Sequence, residues 1–203
     1  MYLVRTAPPT VPSVTAATVK ANKRVSHTSE DTLIEGYIAA AEDVIERSTN
    51  RAIMRQTFKL VVPAVRPVVT LFRPPMEGEI GGIVSAKSIV GGFTTVLAHG
   101  DAVIGSDAGL PTASFAEITD IDSGSMEITY ETGAEDATKV PPGIRQAVLL
   151  LASHYYSNRE ESVLDPRARG GKVSIPYGVE KFIALYRIPN VNMPVNTAPG
   201  EDI

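Results

Sequence analysis

Three histidines, His27, His99 and His154, are the side chains best suited to bind a metal or to move a proton near neutral pH. They lie far apart in the chain, and no two are spaced as paired zinc ligands are. His154 stands beside Tyr155 and Tyr156 in an apolar periodic stretch and reads as a packed or interfacial side chain. No nucleophile elbow or zincin motif accompanies it. Cysteine is absent, which excludes thiolate zinc sites, cysteine nucleophiles and a disulfide framework, and suits assembly in a reducing cytosol.

Two loops approach known ligand motifs, and each fails at a decisive position. Asp120, Asp122 and Glu131 have the offsets of a calcium loop, but Gly124 falls one place early and Ser125 stands where the sharp turn needs glycine. The stretch reads as a turn leading into the strand SMEITY. Residues Gly81 to Ser88 approximate a phosphate loop, yet Ala86 replaces the glycine before Lys87. A β-like run follows in place of the helix whose start would cradle a phosphate, so this is read as a strand connection.

Arg167, Arg169 and Lys172 form a basic cluster that reads as a solvated, mobile loop, although it has the charge to meet DNA phosphates or acidic protein. Glu35, Glu42, Asp43 and Glu46 read as the wet face of an amphipathic helix rather than as acid–base machinery. No catalytic, cofactor-binding or metal-ligating residue is nominated, and no cofactor or stable metal is expected.

The elements that carry these residues form an α+β pattern, with helices toward both ends and a strand-rich middle. Thr15 can cap a short helix running to about Val25. Leu33, Ile34, Tyr37, Ile38, Ala41, Val44 and Ile45 then recur at helical spacing, with Thr28 or Ser29 as cap and an end near Asn50. From Gln56 to Gly133, β-branched runs alternate with Gly, Pro and Asp turns. Strands are expected at Thr57 to Val62, Val68 to Phe72, Ser88 to Leu97 and Ser125 to Tyr130, as an antiparallel insertion at about 56–133. Pro141 and Pro142 open a second strong helix through about Asn158. A last helix is expected from Tyr177 or Gly178 to Tyr186, with Val179, Phe182, Ile183 and Tyr186 inward. The predicted core is Leu33, Ile34, Tyr37, Ile38, Ala41, Ile45, Ile144, Val148, Leu151, Ala152, Tyr155, Phe182 and Ile183.

At 203 residues the chain suits a single domain, here 1–188, formed by a small bundle of helices with its β insertion. The remaining residues, 189–203, read as an extended C-terminal arm. Apolar residues make up 43% and charged residues 21%, a soluble globular balance. A net charge of −4 argues against a general nucleic-acid binder, which needs a basic face. The stretch Met1 to Val14 lacks the basic and apolar regions of a signal peptide. No apolar run approaches the roughly 18 residues that span a bilayer, so no membrane is expected as a partner.

Four stretches in order resemble the head-tail connector (adaptor) family of tailed phages and gene transfer agents. VTAATVKANKRV resembles its first helix, and SEDTLIEGYIAAAEDVIERSTNRAIMRQTFKL its long helix and exit into strand. ITYETGAEDATKVPPGIRQAVLLLASHYYSNREE resembles its strand, glycine turn and proline-started helix, and IPYGVEKFIALYR its closing helix. The middle from about Glu77 to Ser123 and the final tail depart from that pattern.

The resemblance implies a structural adaptor in the neck of a phage or phage-like particle, assembled in the bacterial cytoplasm. Neighbouring copies would close a ring, usually twelvefold, that docks on the portal protein and presents a surface to the next neck or tail protein. DNA would pass through its centre without sequence-specific binding. A stopper or tail terminator is the alternative among neck components, and an unrecognised hydrolase the alternative among enzymes. Family adaptors reach partners through terminal extensions, so the arm is expected to order on the portal or a neighbouring subunit. Its anchors would be Pro189, Val191, Met193, Pro194, Val195 and Ile203.

Overall fold

The computed structural model describes residues 1–75, 82–97, 103–107, 110–115, 118, 123–158 and 177–188. In chain order the elements are β1 (Tyr2–Ala7), α1 (Ala16–Lys23), α2 (Asp31–Thr49), β2 (Gln56–Val62), β3 (Val68–Thr70), β4 (Gly82–Val90) and β5 (Phe93–Leu97). They continue as β6 (Val103–Asp107), β7 (Leu110–Ser114), β8 (Ser125–Thr132), α3 (Pro142–Ser157) and α4 (Tyr177–Ile183). The fold is thus α+β, with four α-helices among the described residues and antiparallel pairing between all named strands.

Local chemistry explains most helix ends. The Thr15 hydroxyl accepts from the Thr18 amide at 3.3 Å and starts α1 as the sequence predicts. The expected caps of α2 are not used as caps. Glu30 holds the N-cap position without a side-chain bond, Thr28 offers its backbone carbonyl to Asp31, and the Ser29 hydroxyl lies 2.9 Å from His27 Nδ1. Asn50 closes α2 in a left-handed conformation, which a short polar side chain tolerates. Pro142 occupies the first turn of α3, where its missing amide hydrogen costs no intrahelical bond.

The helices share one apolar core. Ile34, Ile38, Ala41 and Ile45 of α2 join Ile144, Val148, Leu151 and Ala152 of α3, with Val19, Val179 and Ile183 completing it. Tyr37 and Tyr155 meet at its edge with ring centroids 6.3 Å apart. Leu33 and Phe182 depart from the predicted core, being 40% and 38% exposed. Each immediately precedes a fully buried isoleucine, and successive helical residues diverge by about 100°, so only one of the two can point inward.

A second core lies in the β region. The larger sheet runs β1-β2-β8-β4-β5 and the smaller β3-β7-β6. Phe58, Leu60 and Val62 of β2, with Met126, Ile128 and Tyr130 of β8, share a buried cluster with Val69, Leu71, Phe72, Ala113 and Phe115. Their alternation follows from the period of two along a strand.

Several strand expectations need correction. β1 was hidden in a proline-rich start, yet it pairs with β2, placing Leu3 opposite Leu60. The single strand expected from Ser88 to Leu97 is a hairpin, because Gly91 and Gly92 both take positive φ and turn the chain between β4 and β5. β4 itself begins at Gly82, β3 stops at Thr70, and β6 and β7 occupy a stretch for which no strand was expected.

Candidate functional site

The sequence places Glu42 and Glu46 on a wet helix face; the structure does not. Glu46 is 3% exposed, and its carboxylate accepts from Arg5 at 3.0 Å, the Ile53 amide at 2.8 Å and Gln56 Nε2 at 2.6 Å. Its backbone carbonyl also accepts from Arg73 at 2.7 Å. Burial pushes the Glu46 carboxyl up, opposed by the Ile53 hydrogen bond, by Arg5 and by Gln56. The correction has a definite cause. β1 and the chain after α2 fold over this flank of the helix, supplying donors that no helical period can announce.

One turn earlier, the Glu42 carboxylate accepts from the Ser13 amide at 2.6 Å and the Ser13 hydroxyl at 2.5 Å. Burial raises its proton affinity as well, partly offset by those two bonds. Ser13 belongs to the segment between β1 and α1, so Glu42 pins that segment along α2. Between the two lies a cavity of about 520 Å³ walled by Pro8, Pro9, Val11 and Pro12 and by Glu35, Ala39, Glu42 and Asp43. It joins an apolar lining to carboxylates and to the Arg5 guanidinium that pairs with Glu46, so its charged wall is mixed.

A second feature is the root of the C-terminal segment. Arg187 Nε donates to the Ser48 carbonyl at 3.0 Å, and the Ile188 amide donates to the Thr49 carbonyl at 2.9 Å. Asn50 Nδ2 returns a bond to the Ile188 carbonyl at 2.9 Å, and Arg51 Nε donates to the Tyr186 carbonyl at 2.8 Å. The end of α2 therefore clamps residues 186–188 and fixes where the following chain departs.

The other sequence candidates do not converge. His27 faces Ser29 and Glu30, while His154 packs beside Tyr155 in α3 and lies 3.1 Å from Asn158 Nδ2. Among the described residues no three His, Asp or Glu side chains form a metal-binding group. Glu131 lies within β8, 3.4 Å from Arg55, and Gly124 is a turn glycine at φ +83° whose added Cβ would sit 2.3 Å from the Ile89 carbonyl. Lys87 is in the middle of β4, with no helix start beside it. His99, Gly81, Asp120, Asp122, Arg167, Arg169, Lys172 and the arm residues Pro189, Val191, Met193, Pro194, Val195 and Ile203 lie outside the described residues. No described helix is long and apolar enough to cross a membrane.

Arg5, Ser13 and Arg73 are the residues that sequence reasoning missed. The β-prone run Tyr2–Thr6 was the available signal for β1, but the prolines after it obscured the strand.

Residues 116–187 match the family model described as phage gp6-like head-tail connector protein. No curated protein matches the chain. Among solved structures, a chain from the neck of an empty GTA particle computed with C6 symmetry aligns over 100% of both chains, with 23% identity and a TM-score of 0.68. A chain from the virion of a native gene transfer agent (GTA) particle aligns over 94% of this chain and 97% of that one, at 23% identity and a TM-score of 0.72. A third, from the neck of a native GTA particle computed with C12 symmetry, gives 21% identity and a TM-score of 0.61 over 100% of both. Residues 116–187 are thus similar to the phage gp6-like head-tail connector family, and the chain as a whole shares its fold with these GTA neck and virion chains.

Proposed function

We propose that this protein is a non-enzymatic head-tail adaptor in the neck of a phage or phage-like particle. Copies form a ring, twelve in the assembled particle, that joins the portal to the next neck or tail protein and lets DNA pass. The observation that carries this reading is the end-to-end fold match to a GTA neck chain, with a connector family match over 116–187. The engagement of Glu42 and Glu46 in tying segments together fits a structural part.

Residues 1–188 act as one connector domain, with its helices as a bundle and the strands of about 56–133 as an insertion. Residues 189–203 act as an arm whose apolar anchors Val191, Met193, Val195 and Ile203 dock on the portal or a neighbouring subunit. The clamp on residues 186–188 supports the arm by giving it a fixed origin. Electron microscopy of the purified protein mixed with its cognate portal tests the function. Rings seated on the portal are expected, and a protein that stays off the portal sinks the proposal.

A further inference from the structure

We propose that the free edge of β5 pairs in parallel with the free edge of β1 in a neighbouring copy of this chain, so that the larger sheets run edge to edge around the ring. The inference rests on the ring reading and names the strands by which one subunit holds the next.

β1 and β5 are the two ends of the larger sheet, and each is paired on one side only. Among the described residues no backbone hydrogen bond outside those ladders reaches either strand. An edge left in this way presents a row of amides and carbonyls, which proteins protect with lysine, proline or a bulge. β5 reads FTTVL, pairs with β4 without a bulge and carries none of these protections. Its apolar side chains are also out in solvent, Phe93 at 81% and Val96 at 68% exposure.

The hairpin fixes which groups face outward. Gly91 and Gly92 have φ of 58° and 85°, the pattern of a type I′ turn, so Val90 and Phe93 on either side of it are a hydrogen-bonded pair. Such pairs alternate along an antiparallel ladder, so Thr94 and Val96 aim their amides and carbonyls away from β4.

Direction and face select β1 of a second copy as the occupant. Each step from β1 through β2, β8 and β4 to β5 is antiparallel, which leaves the two edge strands pointing the same way. A copy brought alongside by rotation about an axis near the strand direction therefore sets β1 parallel to β5, six residues against five. The buried face runs from Leu3 through Leu60, Ile128 and Ala86 to Leu97. Thr94 and Val96 thus share the opposite face with Tyr2 and Val4, and a joined sheet keeps them together, because a slip of one residue would cross the faces. Pairing β5 with β5 would stop at two copies, whereas β5 with β1 is head-to-tail and continues until the ring closes.

The chain contains no cysteine, so introduced thiols report contacts without background. Full-length Thr94→Cys and Val4→Cys chains are mixed, assembled on the cognate portal, inspected by electron microscopy and treated with a short thiol cross-linker that tolerates a shift of two residues. The expected product joins one Thr94→Cys chain to one Val4→Cys chain and is absent when either is assembled alone. Rings that yield no mixed product, or that link Thr94→Cys chains to each other, overturn the proposal. A chain with both Thr94→Pro and Val96→Pro loses the two outward amides and keeps the β4 ladder, since proline is tolerated where an edge amide faces out. It should keep its melting midpoint and fail to close rings, and complete rings from this chain also overturn the proposal. Rings on the portal without the mixed product remove the strand joint and leave the adaptor function standing, whereas a natural chain that forms no ring on the portal sinks both.

Discussion

Arg5 of β1 and Glu46 of α2, 41 positions apart in sequence, form an ion pair at 3.0 Å at the junction of the two cores. The same guanidinium lies 5.9 Å from the centre of the Phe58 ring, so it joins strand, sheet core and helix. Glu46 in turn reaches Ile53 and Gln56, and its backbone reaches Arg73. Removing this carboxylate strands several buried donors at once. Glu46→Ala should therefore destabilise the fold by about 3–5 kcal/mol, the usual cost of breaking a buried pair from one side. Urea unfolding measures it, and a loss below about 1 kcal/mol would show that the junction is not held by this charge.

The pH dependence of stability follows from Glu42. Its folded carboxyl lies above the ordinary value of 4.5, so the folded chain holds that proton more tightly than the unfolded chain. The resulting contribution is fully present below 4.5 and is lost as pH rises through the folded value. The stability of the natural chain relative to Glu42→Gln should thus increase as pH falls from neutral toward that value. Glu135 and Asp136, whose carboxyls are lowered by Lys139 and Thr138 respectively, act in the opposite sense and at lower pH. Melting curves at stepped pH decide the matter, and parallel profiles for the two chains would refute the assignment to Glu42.

Two leucines should respond very differently to truncation. Leu151 is 1% exposed at the contact of α3 with the helical core, and Leu151→Ala should cost about 2–5 kcal/mol. Leu33 sits on the outer side of α2, and Leu33→Ala should cost about 0.5 kcal/mol or less. Equal losses would mean that the helix pairing is wrong.

Tyr130 closes the β core by a two-way bond. Its hydroxyl donates to the Phe72 carbonyl at 2.7 Å and accepts from the Phe72 amide at 3.1 Å. Tyr130→Phe keeps the ring packing but leaves both backbone groups buried without that partner, at a cost of about 1–3 kcal/mol. Denaturant midpoints should fall without a change in slope.

Truncation tests the arm, and the cut belongs after Ile188 rather than Arg187, because Ile188 is bonded to Thr49 and Asn50. A chain ending at Ile188 should melt as the full chain does and bind portal more weakly. Portal binding as tight as that of the full chain would assign the joint to the helical body.

The sequence by itself determined the elements whose pattern is complete within a short stretch of chain. The stripe Ile34, Ile38, Ala41 and Ile45, the prolines before Ile144 and the alternation in SMEITY each encode a face or an end within a dozen residues. The α+β class, the helical core and the connector resemblance were legible for that reason. What the tertiary structure decided were relationships between distant segments. The same helical period that put Glu42 and Glu46 outside the apolar stripe could not say that Ser13, Arg5 and the chain after α2 would cover them. Periodicity reports which side of a helix is apolar, whereas burial of a carboxylate depends on donors brought from elsewhere, and in this chain those arrive from β1, from the segment before α1 and from β2.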